Sequence, residues 1–245
     1  MVIASGAGSS ELRLVTVLVA DVVSYTSLSE ELGPERTGAL LEQIWARVSR
    51  VLERYEASVE GYGGDEIVLR FGAPVAHEDD PARACHTALE IHAEVAELDR
   101  ERRSAGGRPI RFRIGINTGR VLAAEMGAVQ RREYGITGEA VNIAARLSAA
   151  APPAGTLVGE ATWRLSRGHF AFSPPRSLRL KGVSQPVAAR QLLARASESR
   201  RRLERPTQLI GRTDELATLR GFLAQVQAGE GEVVALLGEA GIGKS

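Results

Sequence analysis

The sequence predicts an α+β fold in which helices pack on a mostly antiparallel sheet. Three observations carry this expectation: an early strand that is apolar on both faces, amphipathic helices with 3/4 apolar spacing, and the element order β, α, ββ, α, β, β, α, β. At 245 residues, 44% hydrophobic and 25% charged, the chain has the composition of an ordinary globular protein and can bury a sizeable core. That composition excludes a disordered or collagen-like chain.

Residues 1–12 are expected to be a flexible tail, and a first domain spans 13–194. Within it, 12–20 (Leu-Arg-Leu-Val-Thr-Val-Leu-Val-Ala) is β-rich and apolar on both faces, the pattern of a central strand, and it stops at Asp21. After Pro34, Leu40, Leu41, Ile44, Val48, Val51, Leu52 and Tyr55 mark one face of a helix. Short strands around Val59 and over Ile67–Phe71 are joined through Gly61-Tyr62-Gly63-Gly64-Asp65, which is turn chemistry. Asp80-Pro81 reads as an N-cap with proline at N1, opening a helix whose core face is Ala84, Cys85, Ala88, Leu89, His92, Val95 and Ala96. Cys85 and His92 therefore read as packing residues. Phe112, Ile114 and Ile116 alternate as in a strand. A polar stretch over 130–133 then leads to a helix from about Gly138 to Ala150, stopped by Pro152-Pro153. Further strands are expected at 156–158, 176–181 and 187–193.

Thirty-one basic residues against thirty acidic ones leave a net charge of +1, so no global basic surface points to nucleic acid or an anionic membrane. Any phosphate chemistry must be local. A single cysteine allows neither an internal disulfide nor a cysteine-based zinc site. With no run of about 20 apolar residues and no leader pattern at the start, a cytoplasmic location is expected.

Three places carry chemistry. Asp21 ends a buried strand, and Asp65 lies in the Gly-Gly-Asp turn between two others. If those strand ends meet, the two carboxylates need a cation, and two hard oxygen ligands plus substrate phosphates is how magnesium is usually held. On the helix Glu139-Ala-Val-Asn-Ile-Ala-Ala-Arg-Leu, Asn142 and Arg146 are four apart and share a face, in surroundings apolar enough that the guanidinium would seek an anion.

The order and spacing of several motifs resemble class III nucleotidyl cyclase catalytic domains over residues 14–193. They are Val19-Ala-Asp21-Val-Val-Ser-Tyr-Thr26, Gly64-Asp65 with Phe71-Gly-Ala-Pro74, Ile114-Gly-Ile-Asn-Thr-Gly119, Gly138-Glu-Ala-Val-Asn142-Ile-Ala-Ala-Arg146-Leu, and Lys181-Gly182. The resemblance implies a ferredoxin-like, cyclase-type sheet with the active site at a homodimer interface. It implies that Asp21 and Asp65 bind two divalent metal ions, Mg²⁺ or Mn²⁺, that Asn142 orients the ribose, and that Arg146 stabilises charge on the α-phosphate. It further implies that Lys181 contacts the terminal phosphates and that the backbone from Val22 through Val23, Ser24 and Tyr25 to Thr26 faces them. One subunit would supply the aspartates and the other the Asn and Arg. The implied reaction turns a nucleoside triphosphate, ATP before GTP, into the 3′,5′-cyclic monophosphate and pyrophosphate.

The sequence departs from the family at the two positions that usually read the base, which are Gly61 and Gly135 here. Glu60, Tyr62 or backbone groups would have to substitute, or the pocket is permissive. These glycines favour an alternative, a catalytically weak cyclase-homology module that binds nucleotide and regulates a fused ATPase. The Gly63-Gly64-Asp65-Glu66 run also resembles the signature of diguanylate cyclases. That family's upstream guanine- and phosphate-reading residues are not found in the 28–56 region, and it lacks the Val-Asn-Ile-Ala-Ala-Arg helix.

Residues 195–206, with five arginines, read as a linker. Residues 207–245 then resemble the opening of an AAA or STAND-type P-loop ATPase domain, truncated at a Walker A pattern of Gly238, Gly243, Lys244 and Ser245 after an apolar strand. Without the following helix or a Walker B acid this loop is expected to be vestigial, and ATPase or regulatory domains would be partners in a longer protein.

Overall fold

The computed structural model describes residues 10–104, 106–128, 131–196, 213–227 and 229, and for 125–128 and 131–133 the backbone alone. The chain divides into two units, Met1–Arg201 and Arg202–Ser245. In the second, the described element is helix α6 (Thr213–Gln227). The Walker A residues Gly238, Gly243, Lys244 and Ser245, and nearly all of the expected linker, lie outside the described residues.

In the first unit, strand β1 (Glu11–Val22) is the centre of the sheet because it can be buried on both faces. Val15, Val17 and Val19 point to one face, and Leu18, Ala20 and Val22 to the other. It pairs antiparallel with β3 (Glu66–Phe71) on one side and with β4 (Phe112–Ala128) on the other. The strand order is β2-β3-β1-β4-β6-β9-β7, where β2 is Ser58–Gly63, β6 is Gly155–Gly159, β7 is Phe170–Phe172 and β9 is Val187–Arg195. Strand β5 (Arg131–Thr137) pairs with β4, and β8 (Arg176–Leu178) pairs with β9. Only β4 with β6 is parallel among the described pairs, so the expected α+β, mostly antiparallel architecture holds.

Helices α1 (Tyr25–Leu32), α2 (Pro34–Arg54) and α3 (Asp80–Ser104) contribute to the core on one sheet face, packed around Leu18, Leu40, Ile44, Ile67, Ile91 and Ile114. Helix α4 (Glu139–Ala150) covers the other face through Ala140 and Ala144. A short α5 (Glu160–Ser166) closes the first face, where buried Thr16, Thr118 and Thr162 hydroxyls form a chain with both links at 2.9 Å.

Three elements were not expected from the sequence, α1, α5 and β7, and the second strand that the expected order placed before the third helix had been given no residues. The polar stretch read as a connection before α4 is β5, whose partner is the unexpectedly long β4. Asp80 is no forward N-cap. Its carboxylate accepts from the His77 amide at 2.9 Å, fastening the preceding loop instead. On α3, Ala84, Cys85, Ala88 and Val95 are buried as expected, Ile91 and Leu98 join them, and Ala96 is exposed. Arg195, counted with the linker on composition, is the last residue of β9 and donates to Glu90 at 2.5 Å and to Tyr55 Oη at 3.1 Å.

Cys85 and His92 are packing residues. Burial pushes the Cys85 thiol up to about 12. His92 bonds Thr156 Oγ1 at 2.9 Å between α3 and β6, and burial lowers its pKa from 6.5 to about 4. The folded chain thus keeps the ring neutral where the unfolded chain takes up a proton, so stability present above pH 6.5 is lost progressively as pH falls to about 4. The expected loss is about 3 kcal/mol from this residue. It is read as the difference between urea midpoints of the parent and His92→Gln at pH 7 and pH 4.5, which removes the background titration of the carboxylates.

Candidate active site

Asp21 sits where β1 leaves the core, and its register pairs it with Glu66 of β3 and Arg113 of β4. The alternation of strands puts all three side chains on the α4 face of the sheet. Asp65 arrives from the β2–β3 turn, and its carbonyl accepts the Val22 amide at 3.2 Å, which fastens the turn to the end of β1. The structure therefore brings Asp21 and Asp65 within hydrogen-bonding reach of each other. Burial raises the Asp65 carboxyl above the ordinary range and the neighbouring Asp21 adds to it, while its own amide and Arg113 oppose the shift. Glu66 is likewise raised, by burial first and then by Asp21 and Asp65. Arg113 Nη2 lies 2.6 Å from Asp21 Oδ2 and is the cation facing this group. Three carboxyls against one guanidinium leave a local deficit of positive charge.

Among the described residues, no group of three or more His, Cys, Asp or Glu is arranged to hold a metal ion. The oxygen pair of Asp21 and Asp65 nevertheless fits a magnesium-type ion that draws its other ligands from water and substrate phosphates. Burial first and the neighbouring Asp21 after it raise Asp65, and such an ion would offset both by neutralising the pair.

The segment after Asp21 divides in two. The Val22 and Val23 amides are committed to the carbonyls of Asp65 and Arg111, at 3.2 and 2.8 Å, so they are not free to meet a phosphate. Ser24 turns the chain in a left-handed conformation, φ 58°, and Tyr25 and Thr26 open α1. The remaining donors of the expected phosphate loop are therefore at Ser24, Tyr25 and Thr26, where a helix begins.

Helix α4 presents Asn142 and Arg146 on its exposed side. Neither makes a side-chain hydrogen bond or ion pair with the described residues, and the apolar surroundings read from the sequence belong to the opposite face, Ala140, Ala144 and Leu147. The helix rests directly on strand backbone. A Cβ on Gly115 would come within 2.1 Å of the Ala144 carbonyl and 2.2 Å of the Ser148 amide, and one on Gly119 within 2.9 Å of Ala140 Cβ. At its C-terminal end α4 is tied to the carboxylate row, as Ser148 Oγ donates to the Arg113 carbonyl at 3.1 Å. Lys181 is exposed in the turn after β8, beside Gly182 at φ 79°. No described contact within one chain joins Asn142, Arg146 or Lys181 to the two aspartates.

The two glycines at the expected base-reading positions lie on β2 and β5. Glu60 Oε1 accepts the Ile136 amide at 2.9 Å, so the neighbours of Gly61 and Gly135 in β2 and β5 are linked through a glutamate side chain. Nothing lies within 4 Å of where a Gly61 Cβ would be. Glu60 cannot substitute as a reader, because its other oxygen pairs with the buried Arg70, which is also held by the Ala73 carbonyl and lies over the Tyr134 ring. Tyr62 turns its ring to Trp45 on the other side of the sheet. Arg113 and Glu66 are the site residues that sequence reading missed. The signal was present in the register: both sit directly across from Asp21 once β1 is paired on both sides.

Residues 9–192 match the family model for the adenylate and guanylate cyclase catalytic domain. Adenylate cyclase 1 of Rhizobium meliloti (strain 1021) is 28% identical over 172 residues, covering 69% of this chain and 26% of that protein. The crystal structure of the guanylyl cyclase Cya2 covers 78% of this chain and 96% of its own, with 26% identity and a TM-score of 0.72. That of the adenylyl cyclase CyaB from P. aeruginosa covers 78% and 98%, with 27% identity and a TM-score of 0.73. The chain spans about a quarter of the length of the first curated relatives it matches. No described helix is long and apolar enough to cross a membrane.

Proposed function

This chain belongs to the adenylate and guanylate cyclase catalytic domain family, and on that premise we propose that it is a homodimeric nucleotidyl cyclase acting on ATP before GTP. The single observation that carries the reading is the separation of two half-sites in one chain. The carboxylate pair Asp21 and Asp65 is short of positive charge, while Asn142 and Arg146, on the exposed side of α4, make no side-chain bond with the described residues. A second copy would supply what each half lacks.

In the reaction, the ribose 3′-oxygen attacks the α-phosphorus in line, the bond to the β-phosphoryl oxygen breaks, and pyrophosphate leaves while the 3′-hydroxyl proton passes to solvent. Asp21 and Asp65 would hold two divalent ions, Mg²⁺ or Mn²⁺, which would supply Lewis acidity toward the 3′-hydroxyl and charge neutralisation for the triphosphate. Arg146 meets the charge that builds on the α-phosphate oxygens, and Asn142 holds the ribose in the attacking orientation. The backbone at Ser24, Tyr25 and Thr26 cradles the phosphates, with Lys181 at their far end.

The two solved relatives differ in the base they are named for at nearly equal similarity, so they favour neither base. Gly61, Gly135 and the fully engaged Glu60 support the second reading, a weakly active module that binds nucleotide and regulates fused domains. Fused ATPase domains, a cytoplasmic location and the activity of the whole protein are part of this proposal. Assays of cyclic AMP and cyclic GMP formation from ATP and GTP with Mn²⁺ or Mg²⁺ separate the two readings. We expect product from the parent and a loss of about 10²–10³-fold in Arg146→Ala, the scale seen when a transition-state donor is removed. Product at background in the parent, or equal rates in the parent, Arg146→Ala and Asp21→Asn, overturns the enzyme reading.

A further inference from the structure

We propose that Glu60 is a positioning residue for the nucleoside end of the substrate: its carboxylate ties β5 to β2 where glycines stand in place of the expected base readers. The proposal rests on the reading of this chain as nucleotide-binding.

No ladder joins β2 to β5 among the described pairs, since β2 pairs with β3 and β5 with β4. The link between them is a side chain. Along β2 the register sets Val59 against Leu69 and then Gly61 against Val68, so Glu60 is an extra residue without a partner in β3. Such a bulge releases a side chain from the alternation of the strand and re-aims it. Here it carries the carboxylate to the Ile136 amide at 2.9 Å and to the guanidinium of Arg70. Arg70 is itself fixed. Buried on β3, it donates through Nε to the Ala73 carbonyl at 3.0 Å and lies over the Tyr134 ring, 5.3 Å from its centre. One ion pair thus grips Tyr134 and Ile136, the residues on either side of Gly135, and it starts from the residue before Gly61. From the other face Tyr62 seats β2 against Trp45, edge to face with ring centres 5.6 Å apart.

The consequence is one of orientation. Neither glycine has a side chain to hold a base, so the placement of the β2 and β5 main chains is what remains to define that end of the site. Strand β5 also runs through Gly138 into α4, so the same tie stands at the root of the helix that carries Asn142. The metal and phosphate groups expected from Asp21, Asp65 and the start of α1 belong to other elements. Loss of the tie should therefore weaken the hold on base and ribose and spare the hold on the phosphates. A general loosening of the fold would weaken both.

Calorimetric titration of the full chain, in Mn²⁺, with 3′-deoxy-ATP, 3′-deoxy-GTP or inorganic tripolyphosphate separates the two ends without requiring turnover. Two double variants remove the ion pair as a unit, so that neither charge is left buried alone. Glu60→Gln with Arg70→Met keeps an acceptor for the Ile136 amide and should bind both nucleotides within about threefold of the parent. Glu60→Ala with Arg70→Met lacks that acceptor and should bind them about tenfold more weakly, the scale of one hydrogen bond, at parent affinity for tripolyphosphate. If the alanine pair does not fold, Glu60→Asp, which keeps a charge beside Arg70 but is one methylene short, should show the same selective loss. A folded alanine or aspartate variant that binds nucleotide like the parent, or that loses nucleotide and tripolyphosphate alike, overturns the proposal. So does an equal loss of nucleotide in the glutamine and alanine pairs. A parent that binds neither nucleotide overturns the nucleotide reading itself and the proposal with it.

Discussion

Equal amounts of Asp21→Asn and Arg146→Ala chains, each inactive alone, are expected to regain about one quarter of the parent activity once their subunits exchange. With random pairing, about half of the dimers are mixed, and each mixed two-fold dimer holds one intact site and one doubly damaged site. The expectation follows from the positions of the residues. Asp21 is bound into the row of β3, β1 and β4, whereas Arg146 projects from the exposed side of α4 and pairs with nothing described in its own chain. Cyclic nucleotide formation after co-incubation, titrated against the mixing ratio, gives the answer. An unrestored mixture of chains that demonstrably exchange would sink the shared-site arrangement. A pair that each retain parent activity would sink the residue assignments.

The second large effect concerns Gly115. Its replacement by alanine places a methyl at 2.1 Å from the Ala144 carbonyl and 2.8 Å from the Leu147 carbonyl carbon, which are backbone atoms of α4 and cannot step aside as a side chain does. The helix must lift from β4 and β1, loosening the contacts of Ala140 and Ala144 with Val15, Val17 and Val121. Overpacking of this severity is expected to cost about 3 kcal/mol, seen as a lower urea midpoint at unchanged slope. It should also reduce cyclase activity, since Asn142 and Arg146 ride on the displaced helix. Gly61→Ala is the control: with open space around its Cβ it should stay within about 0.5 kcal/mol of the parent. A Gly115→Ala chain as stable as the parent would show that α4 does not rest on the strand as described.

Much of this architecture was legible in the residues. The doubly apolar β1 had to be central, and the 3/4 spacing of α2 identified Leu40, Ile44, Val48, Val51 and Leu52, all of which are buried. What escaped was whatever depended on partners distant in sequence. β5 carries polar residues and becomes a strand through pairing with the far half of β4. α1 and α5 span 8 and 7 residues, too short for periodicity to register. The same holds for the site. Asp21 and Asp65 could be singled out because one closes an apolar strand pattern and the other sits in a glycine-rich turn, but Arg113 lies inside an apolar strand and gains its meaning only from the register across from Asp21. Val22 and Val23, grouped with the phosphate loop by adjacency, proved to have their amides taken by Asp65 and Arg111.

The two aspartates are also mounted differently. Asp21 belongs to the strand with neighbours on both sides, whereas Asp65 hangs in the turn that joins edge strand β2 to β3. The side chain of Asp21 is thus set by two strand pairings, and that of Asp65 by a single backbone bond from the Val22 amide to its carbonyl. A change in the β2–β3 turn would therefore move Asp65 relative to Asp21 while leaving the strands beneath α4 in register.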